Sequence, residues 1–164
     1  MMKIGILHPG EMGVSIAASA INSGHEVYWV SDNRSDKTRQ RAKKHNLVDI
    51  VSLSQLCQTS EIIFSVCPPH SAEDVAKSVI ERGFKGYYLD ANAISPQRSS
   101  RIRQMVESNG IHFIDGGIIG GPAWNPKETL LYLSGNDEKV IADCFSSGHS
   151  KRKSLEMKSA KRPH

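Results

Sequence analysis

Short apolar runs alternate with longer amphipathic stretches along most of this chain. Lys3–Leu7, Glu26–Val30, Ile62–Val66, Gly86–Leu89 and His112–Asp115 are short runs of the kind that form buried strands, and Leu130–Leu133 is a weaker example. Between them Glu11–Ser23, Asp36–Lys44, Ser52–Gln58, Ser71–Ile80 and Pro96–Ser108 read as helices. Boundary chemistry supports this reading: Gly24 closes the first helix, Ser71 caps the fourth, and Ser95-Pro96 opens the fifth with proline in its first turn. Strands and helices in alternation build βαβ units that feed a parallel sheet, so the fold class is α/β. No internal repeat interrupts the pattern.

A chain of 164 residues, 38% hydrophobic and 23% charged, suits one soluble domain with a sizeable core. The three cysteines, Cys57, Cys67 and Cys144, lack CxxC spacing, which argues against a disulfide framework or a zinc site and for a reducing compartment. The apolar start is too short for a signal-peptide core and no run is long enough to span a membrane, so a cytoplasmic protein is expected. Charge is uneven. Residues 146–164 hold Lys151, Arg152, Lys153, Lys158, Lys161 and Arg162 against Glu156, a net +5, whereas the whole chain is +4; residues 1–145 therefore carry −1. The pI near 9.0 belongs to the tail, and a nucleic-acid partner is not expected. The expected organisation is a folded domain over 1–145 and a basic, disordered tail over 146–164.

The first strand runs directly into His8-Pro9-Gly10-Glu11-Met12-Gly13 and then a helix. Amides at a helix start lack intrahelical partners and the dipole favours an anion there, so this loop is a candidate pyrophosphate cradle. Gly10 lets backbone approach the phosphates, and Gly13 lets the helix pack against the strand. His8 stands where the first glycine of such a fingerprint normally makes the turn. After the second strand comes Ser31-Asp32-Asn33-Arg34-Ser35, about 20 residues beyond the last glycine, where ribose is read. The architecture expected is a Rossmann-type doubly wound, mostly parallel sheet with helices on both faces.

These elements resemble the NAD(P)-binding half of the β-hydroxyacid dehydrogenase and 6-phosphogluconate dehydrogenase superfamily, over residues 2 to about 145. Gly10, Met12 and Gly13 match its Gly-x-Gly-x-Met-Gly loop; His8 does not. Cys67-Pro68-Pro69 stands where the family has a turn near the nicotinamide, and Asp90-Ala91-Asn92-Ala93-Ile94-Ser95-Pro96 is similar to its Asp-x-Ser-Thr-x-x-Pro element. Asp115-Gly116-Gly117-Ile118-Ile119-Gly120-Gly121-Pro122 resembles the substrate loop, with Ile119 in place of a serine. The wording is nearest to the phosphogluconate-dehydrogenase-like branch.

The resemblance implies cofactor contacts from His8, Pro9, Gly10, Glu11, Met12, Asp32, Arg34, Cys67, Pro68 and Asn92, and substrate contacts from the backbone of Gly120 and Gly121. Asp32 suits the ribose hydroxyls of NAD, whereas Asn33-Arg34-Ser35 resembles the NADP-using signature, with Arg39 and Arg41 following; NADP is favoured over NAD. Against this, Asp32 and Ser35 are also ordinary turn and cap residues and Arg34 an ordinary solvated side chain. The family's proton-transferring lysine lies in a helical region after this domain, and Lys77 and Lys127 match no motif, so no catalytic residue is assigned. The expectation is the NADP(H)-binding domain of an oxidoreductase, incomplete for catalysis alone; the alternative is a non-catalytic nucleotide-binding module or a truncated remnant. A small-molecule substrate, a second copy of the chain and a separate helical chain are the partners implied. His70, Trp29 and Trp124 read as helix-start, core and loop-cover residues.

Overall fold

The structure, a computed structural model, describes residues 1–124, 129–146 and 155–159. Its elements are β1 (Lys3–Leu7), α1 (Glu11–Asn22), β2 (Glu26–Trp29), α2 (Asp36–Lys44), β3 (Val48–Asp49), α3 (Leu53–Thr59), β4 (Ile62–Ser65), a 3-10 turn (Pro69–Ser71), α4 (Ala72–Glu81), β5 (Tyr87–Asp90), α5 (Pro96–Ser108), β6 (His112–Gly120), β7 (Thr129–Ser134), α6 (Glu138–Ser146) and β8 (Leu155–Ser159). The strands form one sheet in the order β3-β2-β1-β4-β5-β6-β7-β8. Strands β1 to β6 are mutually parallel, β7 is antiparallel to β6, and β8 is parallel to β7. This is the expected doubly wound sheet, and strand order reverses between β1 and β4, the place where such sheets open a crevice.

Side chains alternate across the strands into two cores. Ile4, Ile6, Ile62, Phe64, Leu89 and Ile114 meet Val14, Ile16, Ala17 and Ala20 of α1, Ala42 of α2 and Ile141, Cys144 and Phe145 of α6. On the opposite face Ile63, Tyr88 and Phe113 meet Leu56 of α3, Ala76 and Val79 of α4 and Ile102 and Val106 of α5. Each fully buried Ile, Leu or Phe contributes about 1.5–3 kcal/mol, which is why strands buried on both faces read as continuous apolar runs.

Helix starts follow side-chain chemistry. Ser35, Ser52 and Ser95 accept from the backbone N–H of Thr38, Gln55 and Arg98, capping α2, α3 and α5. Gly24, at φ +92, closes α1 in the left-handed conformation. Ser71 departs from expectation: its side chain makes no cap, because Pro68-Pro69 initiates a 3-10 turn that leads into α4.

Three differences concern the later chain. The glycine-rich Asp115–Gly120 stretch, read as a loop, extends β6, because β7 supplies ladder partners from Ser134 to Thr129. The amphipathic helix α6 was not foreseen. The supposedly unstructured tail contributes β8, which pairs Leu155 with Thr129 through Ser159 with Leu133. Leu155-Glu156-Met157-Lys158 alternates with period two, and the outer edge of β7 offers backbone groups that need partners. Lys151, Arg152, Lys153, Lys161, Arg162 and also Lys127 lie outside the described residues. Among the described residues no helix is long and apolar enough to cross a membrane.

Candidate cofactor site at the sheet edge

Parallel register brings Leu7, Ser65, Asp90 and Asp115 into one row across β1, β4, β5 and β6. Residues just beyond that row therefore share the C-terminal edge: His8 after β1, Cys67 and Pro68 after β4, and Asn92 after β5. A cleft of about 550 Å³ opens there, lined by Leu7 and His8, by Val30, Asp32 and Arg34 after β2, and by Pro68. Its far wall is Ser52, Leu53 and Ser54 at the start of α3 and Ser71, Asp74, Val75, Ser78 and Arg82 on or beside α4. Sequence reasoning missed this wall, since no local motif marks it. The crossovers from β3 to β4 and from β4 to β5 carry α3 and α4 to that face.

The glycine loop is built as a cradle. His8 N–H donates to the Val66 carbonyl at 3.0 Å, the His8 carbonyl accepts from Gly10 N–H at 2.9 Å, and the Gly10 carbonyl accepts from Val14 N–H at 2.8 Å. A side chain on Gly13 would run into the His8 carbonyl oxygen, so bare backbone is required there. Gly10 differs: a Cβ would meet nothing within 4 Å, and φ −70 with ψ −170 suits any residue. No side chain caps α1, so its first amides are left for an outside acceptor next to Glu11 and Met12. The protein's own packing does not demand glycine at position 10, whereas a closely approaching phosphate would.

Three arginines near this edge have separate tasks. Arg39 donates to the Ser31 carbonyl at 3.0 Å and Arg41 to the Pro9 carbonyl at 3.3 Å, bracing the loops after β2 and β1. Arg34 lines the cleft, and its Nη2 lies 2.9 Å from His8 Nε2. Burial, and then the charge of Arg34, push the His8 imidazole down to about 4, so it is neutral near pH 7.

Asn92 is placed as a floor brace rather than on the open side. Its Oδ1 accepts from Cys67 N–H at 2.7 Å and its Nδ2 donates to Ser65 Oγ at 3.0 Å. Burial raises the Cys67 thiol, which argues against a reactive thiolate. Asp90 lies beneath, with Oδ1 accepting from Asn92 N–H at 2.9 Å and Oδ2 buried without a partner. Burial, opposed by the Asn92 N–H and reinforced by the charge of Asp115, pushes Asp90 up to about 6. A raised carboxyl means that between pH 4 and 6 the folded state keeps a proton the unfolded chain has released, so its contribution falls as pH rises. Replacing Asp90→Asn is expected to stabilise the protein by on the order of 2 kcal/mol at pH 7 and to remove that slope between pH 4 and 6. Urea unfolding across this range checks it; a variant less stable than wild type at pH 7 contradicts it.

At the other side of the glycine loop, Ser15 Oγ donates to the Met12 carbonyl at 2.7 Å and accepts from Ala123 N–H at 2.8 Å, tying α1 to the chain after β6. Gly120, at φ +106, ends the β6–β7 ladder opposite Thr129, and Gly121 follows, both exposed. Among the described residues no group of three or more His, Cys, Asp or Glu is placed to hold a metal ion.

A parallel sheet with its crevice at the strand reversal, an uncapped helix start and a glycine-built turn together define a dinucleotide-binding α/β domain. Residues 3–146 match the family described as the NAD binding domain of 6-phosphogluconate dehydrogenase, and the chain belongs to that family. An uncharacterised protein of Methanothermus fervidus is 33% identical over 119 residues, covering 73% of this chain and 46% of its own. The mitochondrial 3-hydroxyisobutyrate dehydrogenase of Drosophila melanogaster is 25% identical over 154 residues, covering 87% of this chain and 46% of its own. In fold, a conserved protein of unknown function with structural similarity to 3-hydroxyacid dehydrogenases superposes with a TM-score of 0.83 at 22% identity, covering 98% of this chain and 58% of that one. The chain thus spans about half the length of the curated relatives it matches. It is an NAD-binding domain of the kind found in 6-phosphogluconate dehydrogenase.

Proposed function

We propose that the chain holds NADP(H) in preference to NAD(H), as the cofactor-binding part of a 3-hydroxyacid or 6-phosphogluconate dehydrogenase-like oxidoreductase that needs further residues for turnover. The observation that carries the NADP reading is Arg34, exposed at the cleft with its charge uncompensated: among the described residues no carboxylate lies within ion-pair distance of it. A guanidinium in that state suits a ribose 2′-phosphate, while Asp32 beside it suits ribose hydroxyls. Gly10 and the start of α1 would receive the pyrophosphate, and Cys67, Pro68 and the Asn92-braced floor would lie under the nicotinamide. The cofactor, when bound, would serve as the hydride carrier, accepting hydride when oxidised and giving it when reduced. The chain's own groups bind and orient it.

Calorimetric titration with NADPH and NADH in parallel tests this. Wild type is expected to bind NADPH more tightly, and Arg34→Ala is expected to lose about 10- to 100-fold in NADPH affinity, the value of one or two charge-assisted hydrogen bonds. Tighter binding of NADH by wild type would overturn the NADP assignment.

A second reading rests on Ile119, 57% exposed on β6 where the resemblance places a substrate-binding serine. It favours a nucleotide-binding module without hydroxyacid chemistry. Substrate-dependent NADPH formation from a panel of hydroxyacids, supplied to the protein with NADP, would set this second reading aside. Contacts from Gly120 and Gly121 to a small molecule, and a pocket completed by a second copy or a helical chain, belong to the first reading.

A further inference from the structure

We infer that His8 is a positioning residue that sets the cofactor preference by holding the Arg34 guanidinium in the cleft; this rests on the NADP reading above. The backbone at His8 is fixed by its bonds to Val66 and Gly10 and by the absence of a side chain on Gly13. The imidazole consequently has a defined origin on β1's end, and it meets a residue 26 positions away in sequence.

The direction of that contact follows from the chemistry. Arginine offers only donors, so in the 2.9 Å pair Arg34 Nη2 donates and His8 Nε2 accepts. The ring proton must then sit on Nδ1, and the ring must be neutral. A neutral acceptor does what a carboxylate in its place would not: it restrains the arginine without cancelling its charge. Arg34 also keeps donors unused by His8, and a guanidinium held in one orientation loses less freedom on gripping a phosphate. The groups facing this pair are Asp32, exposed on the same rim, and Asp74 and Arg82 on the α4 wall.

The test reads the ratio of NADPH to NADH affinity, so losses common to both cofactors, from a disturbed loop, cancel. His8→Gly is expected to lower that ratio about tenfold, and His8→Gln, whose side-chain carbonyl also accepts, to restore most of it. In an Arg34→Ala background the His8→Gly change is expected to leave the ratio unaltered. Nitrogen NMR of the cofactor-free protein is expected to show the His8 ring protonated at Nδ1 and unprotonated at Nε2. An unchanged ratio in His8→Gly, or a ring protonated at Nε2, overturns the inference while leaving the NADP reading intact. Failure of wild type to bind either nucleotide overturns both.

Discussion

Gly10→Asp is expected to lower the affinity for either nicotinamide dinucleotide by at least about 100-fold, through an added like charge and lost space at the phosphates, and to leave the fold intact. The intact fold follows from the geometry of the loop. Position 10 has unstrained φ and ψ, and a Cβ there would touch nothing. Aspartate is moreover a good residue to start a helix, so the thermal midpoint is expected to stay level or rise slightly. What a carboxylate at this point would do is occupy the open end of α1 and repel an incoming anion from the uncapped amides. Calorimetry with both cofactors, read beside a thermal unfolding curve, separates the two effects. Retained binding in a folded variant would place the pyrophosphate elsewhere.

Gly13→Val, three residues further on, is expected to do the reverse and damage the fold before any ligand is considered. The new Cβ would collide with the His8 carbonyl oxygen and lie 3.4 Å from Ile6 Cδ1. That carbonyl already accepts from Gly10 N–H, and the strand beneath it is buried on both faces, so neither neighbour can retreat cheaply. Overpacking at such a contact costs about 3 kcal/mol. Urea unfolding measures it, and a loss below about 1 kcal/mol would show that α1 can lift from β1. The two glycines look alike in the sequence, yet one is required by the chain and the other by the ligand.

Much of the architecture was legible because it is local. The bounds of β1, α2 and α5 agree with the apolar pattern and its capping residues, and α1 ends where Gly24 takes the left-handed conformation. In those segments the burial period, the caps and the breakers lie within a few residues of one another. The glycine loop was legible for the same reason. The two-residue β3 is too short to carry any period, and the glycines of β6 disguised a strand whose ladder partner, β7, comes later in the chain.

By itself, then, the sequence determined the α/β alternation, the two apolar faces of each central strand and the glycine loop between β1 and α1, since each depends on consecutive residues. Tertiary structure alone decided which distant side chains meet around that edge of the sheet. The His8–Arg34 pair, the brace from Asn92 to Cys67 and Ser65, and the Ser15–Ala123 tie span 26, 25 and 27, and 108 residues. They exist because parallel pairing sets the ends of β1, β4, β5 and β6 in one row, and because the crossovers from β3 to β4 and from β4 to β5 bring α3 and α4 against it. Register is a property of hydrogen bonds between strands, and no single stretch of sequence contains it.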